Sequence, residues 1–273
     1  GMGLVFRAEH IRLGRLAALK KLKRRYASHP ETVERFFEEA RTVNRIDHPH
    51  IVEITDFVNE KGQAFYIMEL LEGESLADVL RRESRLAVRR ALHIMHQVAD
   101  TLAAAHARSV VHLDIKPSNI FLINKKGHDD YVKLLDFGAA QLLADQPTDP
   151  AVSGSGGGVA GTPVYMSPEQ FQQDPIDARS DIYSIGAVFY EVLAGRPPFK
   201  AKSTAEYAYK HMSEPPPPLR KHPAVRYRIN RTCEKVIMRC LEKKPFDRFE
   251  DSTTLREAIA AAAAQTGLRL QPG

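Results

Sequence analysis

The chain has 273 residues, 43% of them hydrophobic and 27% charged, with a net charge of +5. This make-up fits one large folded domain or two lobes, and excludes a disordered or fibrous chain. There is no run of 18 apolar residues to span a membrane and no visible signal peptide, and the one dense basic cluster, residues 20–25, lacks the interleaved aromatics of a nucleic-acid surface.

Two cysteines, Cys233 and Cys240, stand seven residues apart in a predicted helix. Two turns separate them by about 10 Å, too far for a disulfide, so a reducing, cytoplasmic setting is expected.

Residues 4–8 and 16–22 read as strands joined by a turn at 10–14. The glycines Gly1 and Gly3 precede them, and a glycine-rich turn beside a hairpin can close over phosphates with its N–H groups. Lys20 ends the apolar run Ala17-Ala18-Leu19, where a lysine is more often a snorkelling surface residue. Residues 31–46 read as a helix preceded by Ser28 or His29-Pro30, with Val33, Phe36, Phe37, Ala40, Val43 and Asn44 on its inner face. Glu39 lies beside that face, at its rim or turned inward toward a lysine. His48-Pro49 ends the helix. Strands follow at 51–58 and 64–70, with Lys61-Gly62 as the turn between them.

Residues 70–73 read as a hinge, because helical periodicity dominates afterwards. Helices are predicted at 75–82 and 87–109. His93, His96 and His106 on the second read as core or surface histidines, since no carboxylate or cysteine stands at ligand spacing. Residues 139–160 read as a flexible loop without Lys or Arg, functional or disordered rather than structural, and order resumes at 161–169. Helices are expected at 181–193, 204–212, 230–241 and 252–264, the first ending at Gly195. Pro215–Pro218 forms a stiff connector.

The chemistry concentrates in residues 110–138. Short buried strands at 110–111, 120–123 and 132–135 bound two polar islands, one with Asp114, Lys116 and Asn119, the other with Asp136. If the segments form a hairpin, these side chains converge and supply a base, a cation and two oxygen ligands for a hard metal ion.

The two islands, His112-Leu-Asp-Ile-Lys-Pro-Ser-Asn119 and Asp136-Phe-Gly138, resemble the catalytic loop and the Asp-Phe-Gly turn of the protein kinase family, whose reaction is a standard illustration of phosphoryl transfer. Gly161-Thr-Pro-Val-Tyr-Met-Ser-Pro-Glu169 is similar to the serine/threonine branch, and the wording of the later segments to its bacterial members. The resemblance runs from Gly1 to about Ala264. It implies an α+β, bilobal fold: residues 1–71 as a lobe with a small antiparallel sheet and one key helix, lacking its first strand, and residues 72–273 as a mostly helical lobe.

The resemblance also implies residue roles. Lys20 would hold the α- and β-phosphates of ATP and pair with Glu39. Gly1 and Gly3 would belong to the phosphate-covering loop. Val5, Ala18 and Phe121 would sandwich adenine, with Met68 behind it and the backbone of Glu69 and Leu71 on its edge. Asn119 and Asp136 would hold Mg2+, or Mn2+ in its place. Asp114 would accept the proton of the substrate hydroxyl, Lys116 would stabilise the migrating phosphoryl group, and Thr162 would brace both. Glu169 would pair with Arg248, Asp181 would brace the catalytic loop, and Val43, Ile54, His112 and Phe137 would stack between the lobes. The implied partners are ATP and protein substrates, including a second copy in self-phosphorylation, with no nucleic acid and no membrane contact by this segment. The domain would be cytoplasmic, with its membership of a longer, membrane-anchored chain left open.

Two departures stand out. Leu113 occupies the position where the family usually has an arginine that binds an activation-loop phosphate, and leucine has no donor for it. The match also starts late, at the end of the phosphate-covering loop, so weakened ATP binding is expected. Two alternatives to the protein kinase reading are a pseudokinase or scaffold that only binds, and a small-molecule kinase of the same broad fold.

Overall fold

A computed structural model describes residues 3–27, 29–60, 63–125, 127–137, 141–142, 162–222, 225, 229–268 and 270. Gly1, Ser28, the Lys61-Gly62 turn, Gly138, Gly161 and the loop residues Thr148, Ser153 and Ser155 lie outside them.

The amino-terminal part is a four-stranded antiparallel sheet with one helix packed on it. Strands β1 (Gly3–Glu9), β2 (Leu16–Leu22), β3 (Ile54–Glu60) and β4 (Gln63–Met68) lie in the order β1-β2-β4-β3. Strand β2 buries Ala18 and Leu22. A short helix α1 (Arg24–Ala27), unseen in the sequence because four residues show no periodicity, leads to α2 (Pro30–Asn44). Pro30 starts α2, where its missing N–H costs nothing. The inner face of α2 carries Phe36, Phe37, Ala40 and Val43, and the Phe36 ring stacks on Tyr66 at 4.9 Å. Asn44, expected on that face, is exposed: it is the last residue of α2. The expected strand at 51 begins only at Ile54, since Ile51 makes a lone parallel bridge to Leu134.

Beyond Met68 the chain crosses to the helical part. The predicted hinge is shorter than expected, because Gly73 already begins β5 (Gly73–Ser75). A Cβ at Gly73 would lie 2.0 Å from the Leu122 carbonyl oxygen, so only glycine permits this strand to pair so closely. Ser75 caps α3 (Leu76–Glu83), accepting the Asp78 N–H at 3.1 Å. Helix α4 (Val88–Ala107) follows, then β6 (Val110–Val111), a 3-10 turn at Pro117–Asn119, and the antiparallel hairpin β7 (Ile120–Lys125) and β8 (His128–Leu134). The hairpin needed to bring the two polar islands together is therefore present. Strand β9 (Gln141–Leu142), expected as loop, pairs with β6. Two residues cannot show an alternating pattern, so only the pairing reveals them.

The remaining helices are α5 (Pro168–Gln172), α6 (Ala178–Ala194), α7 (Thr204–Ser213), α8 (Arg231–Cys240) and α9 (Ser252–Ala264). Helix α6 is central and almost wholly buried. A Cβ at Gly186 would approach Cys240 Cβ to 2.5 Å, so this glycine lets α6 and α8 pack closely. Cys233 and Cys240 are buried free thiols. Two of the α4 histidines have hydrogen-bond partners, His93 with Gln97 at 3.1 Å and His106 with Asp181 at 2.8 Å, and His96 is buried.

Candidate active site

Alternation along β2 brings Lys20 inward, opposite Val5 of β1 and Tyr66 of β4. A lysine there needs anionic partners. Glu39 supplies one, because α2 turns it into the core rather than to the rim. Lys20 Nζ lies 2.7 Å from Glu39 Oε1 and 2.8 Å from Asp136 Oδ1, and Tyr66 donates its hydroxyl to Glu39 at 2.9 Å. Burial works against the lysine cation, but Glu39, Tyr66 and Asp136 outweigh it and hold its pKa above the ordinary value. For Asp136, burial is opposed by Lys20, which brings the carboxyl down to about 2. Three charged groups from β2, α2 and the turn after β8 thus meet at one point.

The second group is built on a strained loop. Leu113 and Asp136 both hold positive φ, 64° and 63°, a region that non-glycine residues leave unless the surroundings hold them. The holding group at Leu113 is visible. Asp181 of α6, fully buried, accepts the N–H groups of His112 and Leu113, each at 2.8 Å, while Gln170 donates to the Leu113 carbonyl at 3.0 Å. Burial disfavours the Asp181 charge, yet His106 and these donors keep its pKa below the ordinary value. The Leu113 side chain is itself buried.

That backbone delivers Asp114 and Lys116. Lys116 Nζ lies 2.5 Å from Asp114 Oδ2 and 3.1 Å from Thr162 Oγ1, and Thr162 donates to Asp114 Oδ1 at 3.0 Å. Asn119 donates to the Asp114 carbonyl at 2.9 Å. His112 packs its ring 4.4 Å from Phe137, and Val43 and Ile54 are buried in the same core. Glu169 receives Arg248 at 2.7 and 2.9 Å.

The expected adenine residues are placed less tightly. Ala18 is buried and in register with Met68, Phe121 lies half-buried on β7, and Val5 is exposed on β1. A Cβ at Gly3 would come within 3.1 Å of the Lys20 side chain. The Glu69 N–H is committed to the Glu53 carbonyl, whereas the Glu69 carbonyl and the Leu71 N–H have no hydrogen-bond partner among the described residues.

Three contributing residues escape a reading of the sequence. Tyr66 and Lys133 sit inside apolar strands, where nothing in the pattern says which polar tip finds a partner. Gln170 carried a signal: Ser167-x-x-Gln170 is a capping-box pattern, and the Gln170 side chain accepts the Ser167 N–H at 3.0 Å at the start of α5.

Comparison with known proteins agrees with this geometry. The family model for the protein kinase domain matches residues 1–260. The chain is 40% identical over 263 residues to the serine/threonine-protein kinase pkn3 of Myxococcus xanthus, covering 96% of this chain and 48% of that protein. It is also 40% identical over 271 residues to the serine/threonine-protein kinase PknA of Mycobacterium tuberculosis, covering 97% of this chain and 59% of that protein. The chain therefore belongs to the protein kinase domain family, in company with bacterial serine/threonine kinases, and spans roughly half the length of these relatives. Among the described residues no helix is long and apolar enough to cross a membrane.

Proposed function

We propose that this domain transfers the γ-phosphoryl group of ATP to serine or threonine hydroxyls of protein substrates, with Asp114 as the base. The observation that carries this reading is the convergence of Asp114, Lys116 and Thr162 within 3.1 Å of one another, alongside a separate Lys20–Glu39–Asp136 cluster. Phosphoryl transfer asks little covalent work of the protein, so positioning and electrostatics carry the rate. Asp114 orients the substrate hydroxyl and takes its proton. Lys116 faces the group in flight and offsets its charge. Lys20, held by Glu39, binds the α- and β-phosphates. Residues 1–71 and 72–273 act as the two lobes that close on ATP, with Gly3 in the loop over the phosphates, Val5, Ala18, Met68 and Phe121 around adenine, and Glu69 and Leu71 on its edge.

The donor set fits a hard divalent cation. Asn119 spends its amide nitrogen on the Asp114 carbonyl and keeps an oxygen to offer, and Asp136 adds a carboxylate. One carboxylate and one amide oxygen, completed by phosphates and water, suit Mg2+, with Mn2+ as a substitute. Held by Asn119 and Asp136, Mg2+ would supply positive charge against the negative charge that develops on the phosphates during transfer. We place the domain in the cytoplasm, where ATP is supplied, with self-phosphorylation in trans as a further reaction of the same site.

The test is transfer of label from ATP to a generic protein, with Asp114→Asn as the control. Removing a positioned base lowers the rate by roughly 100-fold or more. Label that persists in the control sinks the assignment, and mass spectrometry of the product checks that serine or threonine is modified.

Leu113 sets a second expectation. Its buried, apolar side chain offers no cation to a phosphate on the loop that follows. Phosphatase-treated and untreated enzyme should therefore show equal activity. A large loss after treatment contradicts this.

A further inference from the structure

Lys133 lies on β8, three residues before Asp136, and is only 8% exposed. A lysine so deeply placed must find acceptors for its ammonium group. It finds the Ile51 carbonyl at 3.0 Å and, in a short contact, Glu69 Oε1. The same carboxylate oxygen accepts the Glu53 N–H at 2.9 Å, and the Glu69 N–H donates to the Glu53 carbonyl at 3.0 Å. Glu69 is thus held by both its main chain and its side chain. The neighbouring Leu134 N–H bonds the His50 carbonyl at 2.7 Å, and Lys133 stands in register with Phe121 on β7. A single ammonium group therefore joins residues 51–53, the connection at 69–71, and strand β8, which ends two residues before Asp136.

We propose that Lys133 is a positioning residue for nucleotide binding: it holds Glu69 against residues 51–53 and so fixes the backbone that takes the adenine edge. This rests on the reading of residues 69–71 as the adenine-binding connection. Lys133 touches no part of the nucleotide itself. Its effect is to order a short irregular segment before ATP arrives, which removes an ordering cost from binding. The pair is partly shielded from solvent, with side chains 10% and 28% exposed, so its attraction is stronger than that of a surface ion pair.

The experiment compares wild type, Lys133→Met, Lys133→Arg, Glu69→Gln and the Lys133→Met/Glu69→Gln double variant. It measures KM for ATP, KM for a generic protein substrate, kcat and thermal unfolding. Lys133→Met should raise KM for ATP by roughly tenfold, the scale of one lost charge-assisted hydrogen bond, while KM for the protein substrate stays at the wild-type value. The double variant should recover part of that loss, because no unpaired carboxylate remains. An unchanged KM for ATP overturns the proposal, as does a loss spread over kcat and both KM values in step with stability. If Lys133→Met does not fold, Lys133→Arg and Glu69→Gln answer the question, and wild-type ATP affinity in both overturns it. A wild type that transfers no phosphate defeats the kinase reading instead, while calorimetric ATP binding by wild type and variants still decides the role of Lys133.

Discussion

Lys20→Met should lower kcat by about two to three orders of magnitude, the scale seen when one preorganised donor to developing charge is removed. The ammonium group bridges Glu39 and Asp136 at 2.7 and 2.8 Å, so its loss affects α2 and the turn that carries Asp136 together. The fold should survive, because Glu39 keeps the Tyr66 hydroxyl as a donor at 2.9 Å. Stability should fall by about 1–3 kcal/mol for the partly deprived carboxylate. Lys20→Arg should not rescue the rate, since a planar fork cannot replace a compact charge between two carboxylates. Single-turnover kinetics beside thermal unfolding measures both effects. Near-normal kcat in a folded Lys20→Met protein would refute the assigned role.

Arg248→Met should produce the largest loss of stability, about 3–5 kcal/mol, as expected when one partner of a buried ion pair is removed. The Arg248 side chain is fully buried and the Glu169 side chain 5% exposed. A guanidinium has five N–H donors, and here all five are used. Nε bonds the Glu242 carbonyl. One terminal nitrogen bonds Glu169 Oε1 and the Arg179 carbonyl, and the other bonds Glu169 Oε2 and the Lys243 carbonyl. The Tyr183 ring lies 4.9 Å from the guanidinium carbon. Methionine would strand a buried carboxylate and three carbonyls. Glu169 keeps only the Ser180 hydroxyl, at 2.6 Å, as a side-chain donor. Glu169→Gln should cost less, because an acceptor remains. Denaturant unfolding of the two variants checks the order, and a loss below about 1 kcal/mol for Arg248→Met would show the network to be dispensable.

Both predictions turn on residues whose roles were legible to different degrees. Asp114, Lys116, Asn119 and Asp136 could be read in the sequence because polar residues stood between apolar runs that had to be strands. Lys20 and Glu39 could not be read alone. Each had an ordinary surface reading, and only the family resemblance joined them. Lys133 and Tyr66 gave no signal, since a polar residue inside a strand reads the same whether its tip meets solvent or a buried carboxylate. Strands β5 and β9 were missed for a related reason: pairing across the fold defines them, and two or three residues carry no period.

Composition, the positions of the longer helices and the order of the motifs came from the sequence, because periodicity, capping and turn chemistry act over a few residues. Helix α6 was expected from its apolar face alone, and the caps at Ser75 and Gly195 are local events. The tertiary structure decided which charges meet. It turned Glu39 inward, placed Asp181 beneath the backbone of His112 and Leu113, and held Leu113 and Asp136 in strained backbone conformations. These outcomes rest on contacts between segments far apart in the chain, where burial forces each charge to find a partner, and no local pattern encodes which partner that is.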